Sequence, residues 1–201
     1  MPRYPPPRWL DYSPLGTHLS GTSLLPVKLP IPKEYSSNIP REHWFTDNDL
    51  LNFCSDMNLP LVCIIDLTYT DYYDPKLFID RGVKYVKVYV EGHLIPNPTT
   101  VKRFMEILRS VTEDFPGTMT MSKRSYVGGT IAVHCTHGVN RTGYLICRYL
   151  IDVLGWSADE AIEVFFNPSS TPLGGFAVSE FARARGHAIE RRNYVNDLRH
   201  R

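Results

Sequence analysis

The stretch that most constrains the fold is His134-Cys135-Thr136-His137-Gly138-Val139-Asn140-Arg141-Thr142-Gly143, set between Ile131-Ala132-Val133 and Tyr144-Leu145-Ile146-Cys147-Arg148-Tyr149-Leu150. A short apolar run, a polar segment with a glycine and a longer run with helical spacing read as strand, tight loop and helix. Cys135 ends the strand and Arg141 opens the helix, and the five residues between them suffice for one loop curled around a tetrahedral dianion. Such a loop aims the backbone N–H groups of Thr136, His137, Gly138, Val139 and Asn140 inward, and the helix N-terminus adds partial positive charge. Arg141 supplies a planar fork for two phosphate oxygens. A thiol beside a guanidinium at a helix N-terminus ionises well below its ordinary ~8.5, which makes Cys135 the candidate nucleophile. The Thr142 hydroxyl can hydrogen-bond the sulfur and help it leave later.

A cysteine with an arginine six residues on is a weak pattern by itself. The other cysteines serve as a control: six residues after Cys54, Cys63 and Cys147 stand Pro60, Tyr69 and Val153. Only Cys135 combines a preceding strand, a glycine where the loop needs an unhindered backbone, the arginine and the following hydroxyl. The competing reading is a structural cysteine in a strand-to-helix turn. A zinc site built on His134, Cys135 and His137 lacks a second ligand pair such as C-x-x-C, so no metal or other cofactor is expected. His134 is assigned to bracing the loop, and His137 is a candidate for added charge within it.

Composition bounds the rest. At 201 residues, 43% apolar and 12% aromatic, the chain suits one domain, 9–201, behind a mobile lead-in, 1–8, that carries four prolines. The formal net charge of +1 does not advertise a polyanion partner, so any such affinity must come from local clusters of basic residues. A thiolate nucleophile and cysteines without paired spacing point to a reducing, intracellular setting. No apolar run approaches membrane-spanning length, and a monomer is expected.

Local signals predict an α/β architecture. Leu24–Val27 reads as a strand. A helix capped by Thr46 runs to about Met57, and Leu61–Ile65, bounded by Pro60 and Asp66, reads as a strand buried on both faces. A further strand spans Val83–Val90 with Lys84 and Lys87 outward. Asn97-Pro98 opens a helix that reaches Phe115, and 116–129 reads as a loop. The helix after the phosphate loop should stop at Gly155. Ser157 to Glu160 forms a capping box for a helix through Phe165, and Ala188–Leu198 closes the chain as a helix. Together these give a central, mostly parallel sheet flanked by helices.

The pattern His-Cys-x-x-Gly-x-x-Arg-Thr resembles the signature of cysteine-dependent phosphatases. The longer string from His134 to Leu150 resembles one branch of them, the atypical dual-specificity phosphatases and capping-enzyme domains that act as metazoan RNA 5′-triphosphatases. The resemblance extends to Trp9-Leu10, Ser13-Pro14-Leu15-Gly16, Ile65-Asp66-Leu67-Thr68-Tyr69-Thr70, Gly92-His93, Glu190-Arg191 and Asn193-Tyr194, nearly the whole chain. It implies the cysteine-phosphatase fold, RNA with a 5′-tri- or diphosphate as substrate, and a nuclear or cytoplasmic location. It also implies a functional role for Asp66, as proton donor or in orienting the site; a simple strand-end cap remains open. Within the Glu-Arg-x-Asn-Tyr match Arg191 is the first choice for inner phosphates, with Arg192, Lys123 and Arg124 as weaker candidates. Relative to that family, Asn167 to Gly175 looks like an insertion.

One departure from the wider superfamily bears on chemistry. Most members carry an aspartate general acid on a loop before the helix that precedes the nucleophile strand. The matching region here, Gly92 to Pro98, presents Asn97, which has no proton to give. A phenol or alcohol leaving group, with pKa near ~10 or ~15.7, needs a donor, whereas a phosphate oxygen with a last pKa of about 6 does not. The absence of the acid thus suits a phosphate leaving group, and the resemblance implies that the reaction is removal of γ and then β phosphates from RNA. The alternatives are a dual-specificity protein phosphatase and a non-catalytic module that binds phosphorylated RNA ends.

Overall fold

The computed structural model describes residues 4–115, 129–162 and 180–201. Four strands, β1 (Leu24–Val27), β2 (Leu61–Asp66), β3 (Lys84–Lys87) and β4 (Thr130–His134), form one sheet in the order β1-β4-β2-β3. Every pairing is parallel, with Asp66 opposite His134 on one side and Lys87 on the other. Parallel strands need both faces covered, which is why β2 and β4 read as unbroken apolar runs.

Side chains alternate across the sheet. Cys63, Ile65, Ile131, Val133 and Cys135 join the core beneath α3 (Pro98–Asp114) and α4 (Asn140–Asp152). Leu25, Val27, Ile64 and Ala132 join the core beneath α1 (Asp47–Asp56) and α2 (Lys76–Ile79). The inner face of α3 is Val101, Phe104, Ile107, Leu108 and Val111. Full burial of such a side chain contributes roughly 1.5–3 kcal/mol, which outweighs the weak propensity of any one of them.

The caps form as expected. Thr46 and Asp49 make a reciprocal capping box, Asn97 Oδ1 accepts the Thr100 N–H at 2.9 Å, and Ser157 and Glu160 exchange hydrogen bonds. Other expectations need correction. The third strand is shorter, and neither lysine simply faces solvent: Lys84 Nζ lies 2.7 Å from Asp114, and Lys87 turns inward to Asp66. The helix after the loop ends at Asp152, and Gly155 follows with φ +71°. The last helix, α7 (Arg192–Arg199), starts four residues late because Ala188 to Arg191 run without helical structure past the phosphate loop. Short α2 was not foreseen. Helix α5 (Ala158–Ile162) is described, but its continuation to Phe165, the 116–128 loop with Lys123 and Arg124, and the 167–175 segment lie outside the described residues.

The lead-in expected to be mobile packs from Tyr4 onward. Its ring stacks on Tyr35 at 4.6 Å, and Arg8 pairs with Glu190 at 3.2 Å. Residues 8–16 form a strap across the back of the loop that follows β4, with Tyr12 stacked on His137 and the Ser13 carbonyl accepting from Arg185. Gly16 is required there, since a Cβ would stand 2.4 Å from the Ala184 carbonyl of α6 (Glu180–Arg185).

Candidate active site

The chain turns sharply after β4 and enters α4 at Asn140, so residues 135–139 form one loop at the carboxyl edge of the sheet. Gly138 adopts φ +68°, and a Cβ there would lie 2.1 Å from the Val27 carbonyl oxygen. Three successive loop carbonyls face outward. Thr136 O accepts from Leu29 N at 3.2 Å, His137 O from Arg185 Nη2 at 2.8 Å, and Gly138 O from Arg185 Nε at 3.1 Å. In a trans peptide the N–H points opposite the carbonyl, so the N–H groups of His137, Gly138 and Val139 are turned to the concave side.

Cys135 is 3% exposed at the base of this concavity. Burial pushes its thiol up. Arg141, the Thr142 side chain, and the backbone N–H groups of Thr142 and His137 favour the thiolate more strongly, and the pKa falls to about 7. Thr142 Oγ1 is, among the described residues, the buried side-chain polar atom with no hydrogen bond of full geometry. It lies close enough to favour the thiolate and is free to donate. The other thiols are inert by the same physics: burial raises Cys54 to about 11, Cys63 to about 12 and Cys147 higher still.

Arg141 is held as a fork. Nη1 donates to Val90 O at 2.8 Å and Leu67 O at 3.3 Å, and Nη2 donates to Thr136 Oγ1 at 2.9 Å. The ends of β2 and the segment after β3 thus fix its height over the loop. Asn140 serves as a bridge, since its Oδ1 accepts the N–H groups of Glu190 and Arg191 at 3.0 Å each. That bridge ties the Arg191 backbone to the loop, and the Arg191 guanidinium meets the His93 ring at 2.8 Å. His93 takes φ +74°, unusual for a residue with a side chain, and the Asn193 amide holds its carbonyl. Arg192 is exposed at the start of α7 and is not brought to the loop.

Asp66 is placed beside this site at the end of β2. Its carboxylate is 1% exposed and accepts from Thr68 N, Thr68 Oγ1, Tyr85 Oη and Lys87 Nζ at 2.7–2.9 Å. Burial alone would raise its pKa, yet His134, Lys87 and Thr68 overcome this and hold it below the usual carboxylate range. Four donors at its oxygens favour the ionised form, so of the roles left open for Asp66 this geometry suits orienting the sheet edge better than giving up a proton. His134 takes the bracing role expected of it: Nε2 meets Tyr73 Oη at 2.8 Å, and Nδ1 meets the Cys135 carbonyl at 3.3 Å. Burial lowers its pKa. His137 does not add charge inside the loop. It stacks on Tyr12 at 4.7 Å and bonds the Pro7 carbonyl at 2.8 Å, and burial lowers its pKa.

Sequence reasoning missed Arg185, Lys87, Tyr73 and Glu190. The one signal for the group was the resemblance over Ser13 to Gly16 and at Glu190, which belongs to the strap: Glu190 accepts from Tyr12 Oη at 2.7 Å and from Arg8.

Comparison with known proteins agrees with this fold. Residues 79–200 match the family model described as dual specificity phosphatase, catalytic domain. The chain is 39% identical over 195 residues to the RNA/RNP complex-1-interacting phosphatase of Bos taurus, covering 96% of this chain and 51% of that protein. It therefore spans about half the length of that curated relative. It is 34% identical to a tyrosine-protein phosphatase of Autographa californica nuclear polyhedrosis virus, covering 96% of this chain and 98% of that one. The structure of Tk-PTP in the active form superposes with a TM-score of 0.55 at 19% identity, over 92% of this chain and 97% of that chain, a likeness of fold. On both the matched catalytic domain and the relatives aligned over nearly all of this chain, the chain belongs to the dual specificity phosphatase family.

Proposed function

We propose that this phosphatase removes the γ and then the β phosphate from RNA 5′ ends, without a metal ion, through a phosphocysteine on Cys135. The thiolate attacks the terminal phosphorus, an S–P bond forms, and the bond to the leaving phosphate oxygen breaks. The inward N–H groups and Arg141 hold the charge that spreads over the equatorial oxygens. Water then attacks phosphorus, the S–P bond breaks and phosphate departs. Thr142 Oγ1 donates to the sulfur as it becomes a thiolate again.

The observation that carries this reading is that, among the described residues, neither Asn97 nor Asp66 is set up as a proton donor. Asn97 spends its side-chain oxygen on the Thr100 N–H, and Asp66 is an ionised, fully bonded carboxylate. Neither supplies the proton that an alcohol or phenol leaving group requires, and a di- or monophosphate leaving group requires none. Arg191, tied to the loop through Asn140, is the cation we assign to the inner phosphates. The name of the bovine relative, RNA/RNP complex-1-interacting phosphatase, supports RNA as partner. A nuclear or cytoplasmic location suits four free thiols.

The viral relative named as a tyrosine-protein phosphatase favours a second reading, hydrolysis of protein phosphotyrosine. Release of phosphate from a short RNA labelled separately at γ and β, in EDTA, beside a phosphotyrosine peptide, separates the two. Faster γ and β release supports the RNA reading. Faster peptide turnover refutes it.

A further inference from the structure

Behind the loop lie two buried cations that the chemistry above does not use. Arg185 is 0% exposed, and it makes four hydrogen bonds, all to neutral oxygens: Gly138 O, His137 O, Ser13 Oγ at 3.0 Å and Ser13 O at 2.8 Å. Lys28 is 2% exposed, donates to the carbonyls of Tyr12 at 2.9 Å and Trp9 at 3.4 Å, and rests 3.4 Å over the Trp9 ring. Among the described residues no carboxylate pairs with either. Burying a cation without a counter-ion is costly, so such an arrangement calls for an anion elsewhere.

We propose that Arg185, anchored on Ser13 of the N-terminal strap, is a positioning residue that shapes the loop for an oxyanion and supplies its second fixed positive charge. By pulling the His137 and Gly138 carbonyls backward, it forces the N–H groups of Gly138 and Val139 forward, where a phosphate would sit. Its charge lies across the loop from Cys135 and is met by the thiolate or the bound dianion. The facing groups are Arg141 and Thr142 on the concave side, His134 beneath Cys135, and His137, His187, Tyr12 and Lys28 on the strap side. Arg141 and Arg185 therefore both favour the thiolate. Burial lowers the Arg185 pKa to about 10, which leaves it charged at neutral pH, and the Cys135 thiolate supports that charge. Ser13 and Lys28 lie far from the loop in the chain and reach it only through the fold.

The inference rests on the 135–141 loop being a phosphate cup, not on RNA as the substrate. The test follows iodoacetamide alkylation of Cys135 across pH, with and without inorganic phosphate as a protecting ligand, so no turnover is needed. In the wild type the rate should rise with a midpoint near the thiol pKa of about 7, and phosphate should protect. If phosphate does not protect the wild type, the cup reading itself fails. In Arg185→Met the midpoint should move up to roughly 8 and phosphate should bind about tenfold more weakly. Arg185→Lys, which keeps the charge but can hold one carbonyl instead of two, should keep the midpoint and lose phosphate affinity. Ser13→Ala should show a smaller loss of affinity. If Arg185→Met does not fold, the Lys and Ala variants carry the test. Lowered thermal stability with an unchanged midpoint and unchanged phosphate protection would leave Arg185 a structural residue and overturn the proposal.

Discussion

Replacing Asp66 by asparagine keeps its volume while removing its charge. The carboxylate anchors Lys87, whose side chain is 13% exposed, at 2.9 Å, and also accepts from Tyr85 and Thr68. Asparagine retains one acceptor for Thr68 but points an N–H₂ at Lys87 Nζ and Tyr85 Oη, leaving the ammonium only the exposed Asp71 carboxylate at 3.7 Å as counter-charge. Breaking a buried ion pair by removing one member costs about 3–5 kcal/mol, and for a chain of this size each kcal/mol lowers Tm by ~2–4 °C, so a drop of roughly 6–20 °C is expected. Because the Asp66 pKa is depressed in the folded state, this stabilisation is fully present above the ordinary carboxylate value of ~3.9 and fades as pH falls below it. Urea unfolding at pH 7 and at pH 3 should therefore show a large difference between variant and wild type at pH 7 and a smaller one at pH 3. Adding Lys87→Met should recover part of the loss, since the stranded charge goes with it. Turnover per folded molecule should fall by no more than severalfold. Wild-type stability combined with a hundredfold loss of turnover would refute this account and restore Asp66 as an acid.

Three further outcomes follow from the site. Gly138→Ala forces a Cβ to 2.1 Å from the Val27 carbonyl at φ +68°, with ~1–3 kcal/mol of backbone strain before any clash is counted; urea unfolding should show at least that loss, and wild-type stability would contradict it. The kcat/KM for triphosphate RNA should rise with pH through the thiol pKa of about 7 and then stay level, because no protonated acid is needed; a fall on the alkaline side below pH ~9 would reveal one. Arg191→Ala should raise KM for triphosphate RNA about tenfold or more while leaving a small aryl phosphate within twofold, and equal effects on both would reduce Arg191 to a support for His93.

What was legible in the sequence was what chain neighbours decide. Thr46 with Asp49, Asn97 with Thr100 and Ser157 with Glu160 cap their helices through contacts three residues apart. The phosphate loop was equally local, because strand, glycine, arginine and hydroxyl fall within one short stretch. Asp66 shows the limit. Its position at a strand end was readable, but its saturation by Lys87 and Tyr85 depends on the register between β2 and β3, which no local pattern encodes. Lys87 read as an outward lysine for the same reason. Arg185 hid among several arginines near the C-terminus, where solvent exposure is the ordinary expectation, and its partners are Ser13 and Gly138, far away in the chain. The extended Ala188 to Arg191 stretch lost its helix to tertiary bonds, since the Glu190 and Arg191 N–H groups go to Asn140.

The central claim is that Cys135 carries the phosphoryl group taken from an RNA 5′ end. The direct measurement is a rapid acid quench of the enzyme with γ-labelled triphosphate RNA in EDTA, followed by mapping of the labelled peptide. The account predicts a burst of label, up to one per chain, on the peptide that holds Cys135, and none on Cys135→Ser, which should still bind the RNA. Phosphate release with no protein-bound label at any time, or release by Cys135→Ser at the wild-type rate, would contradict it.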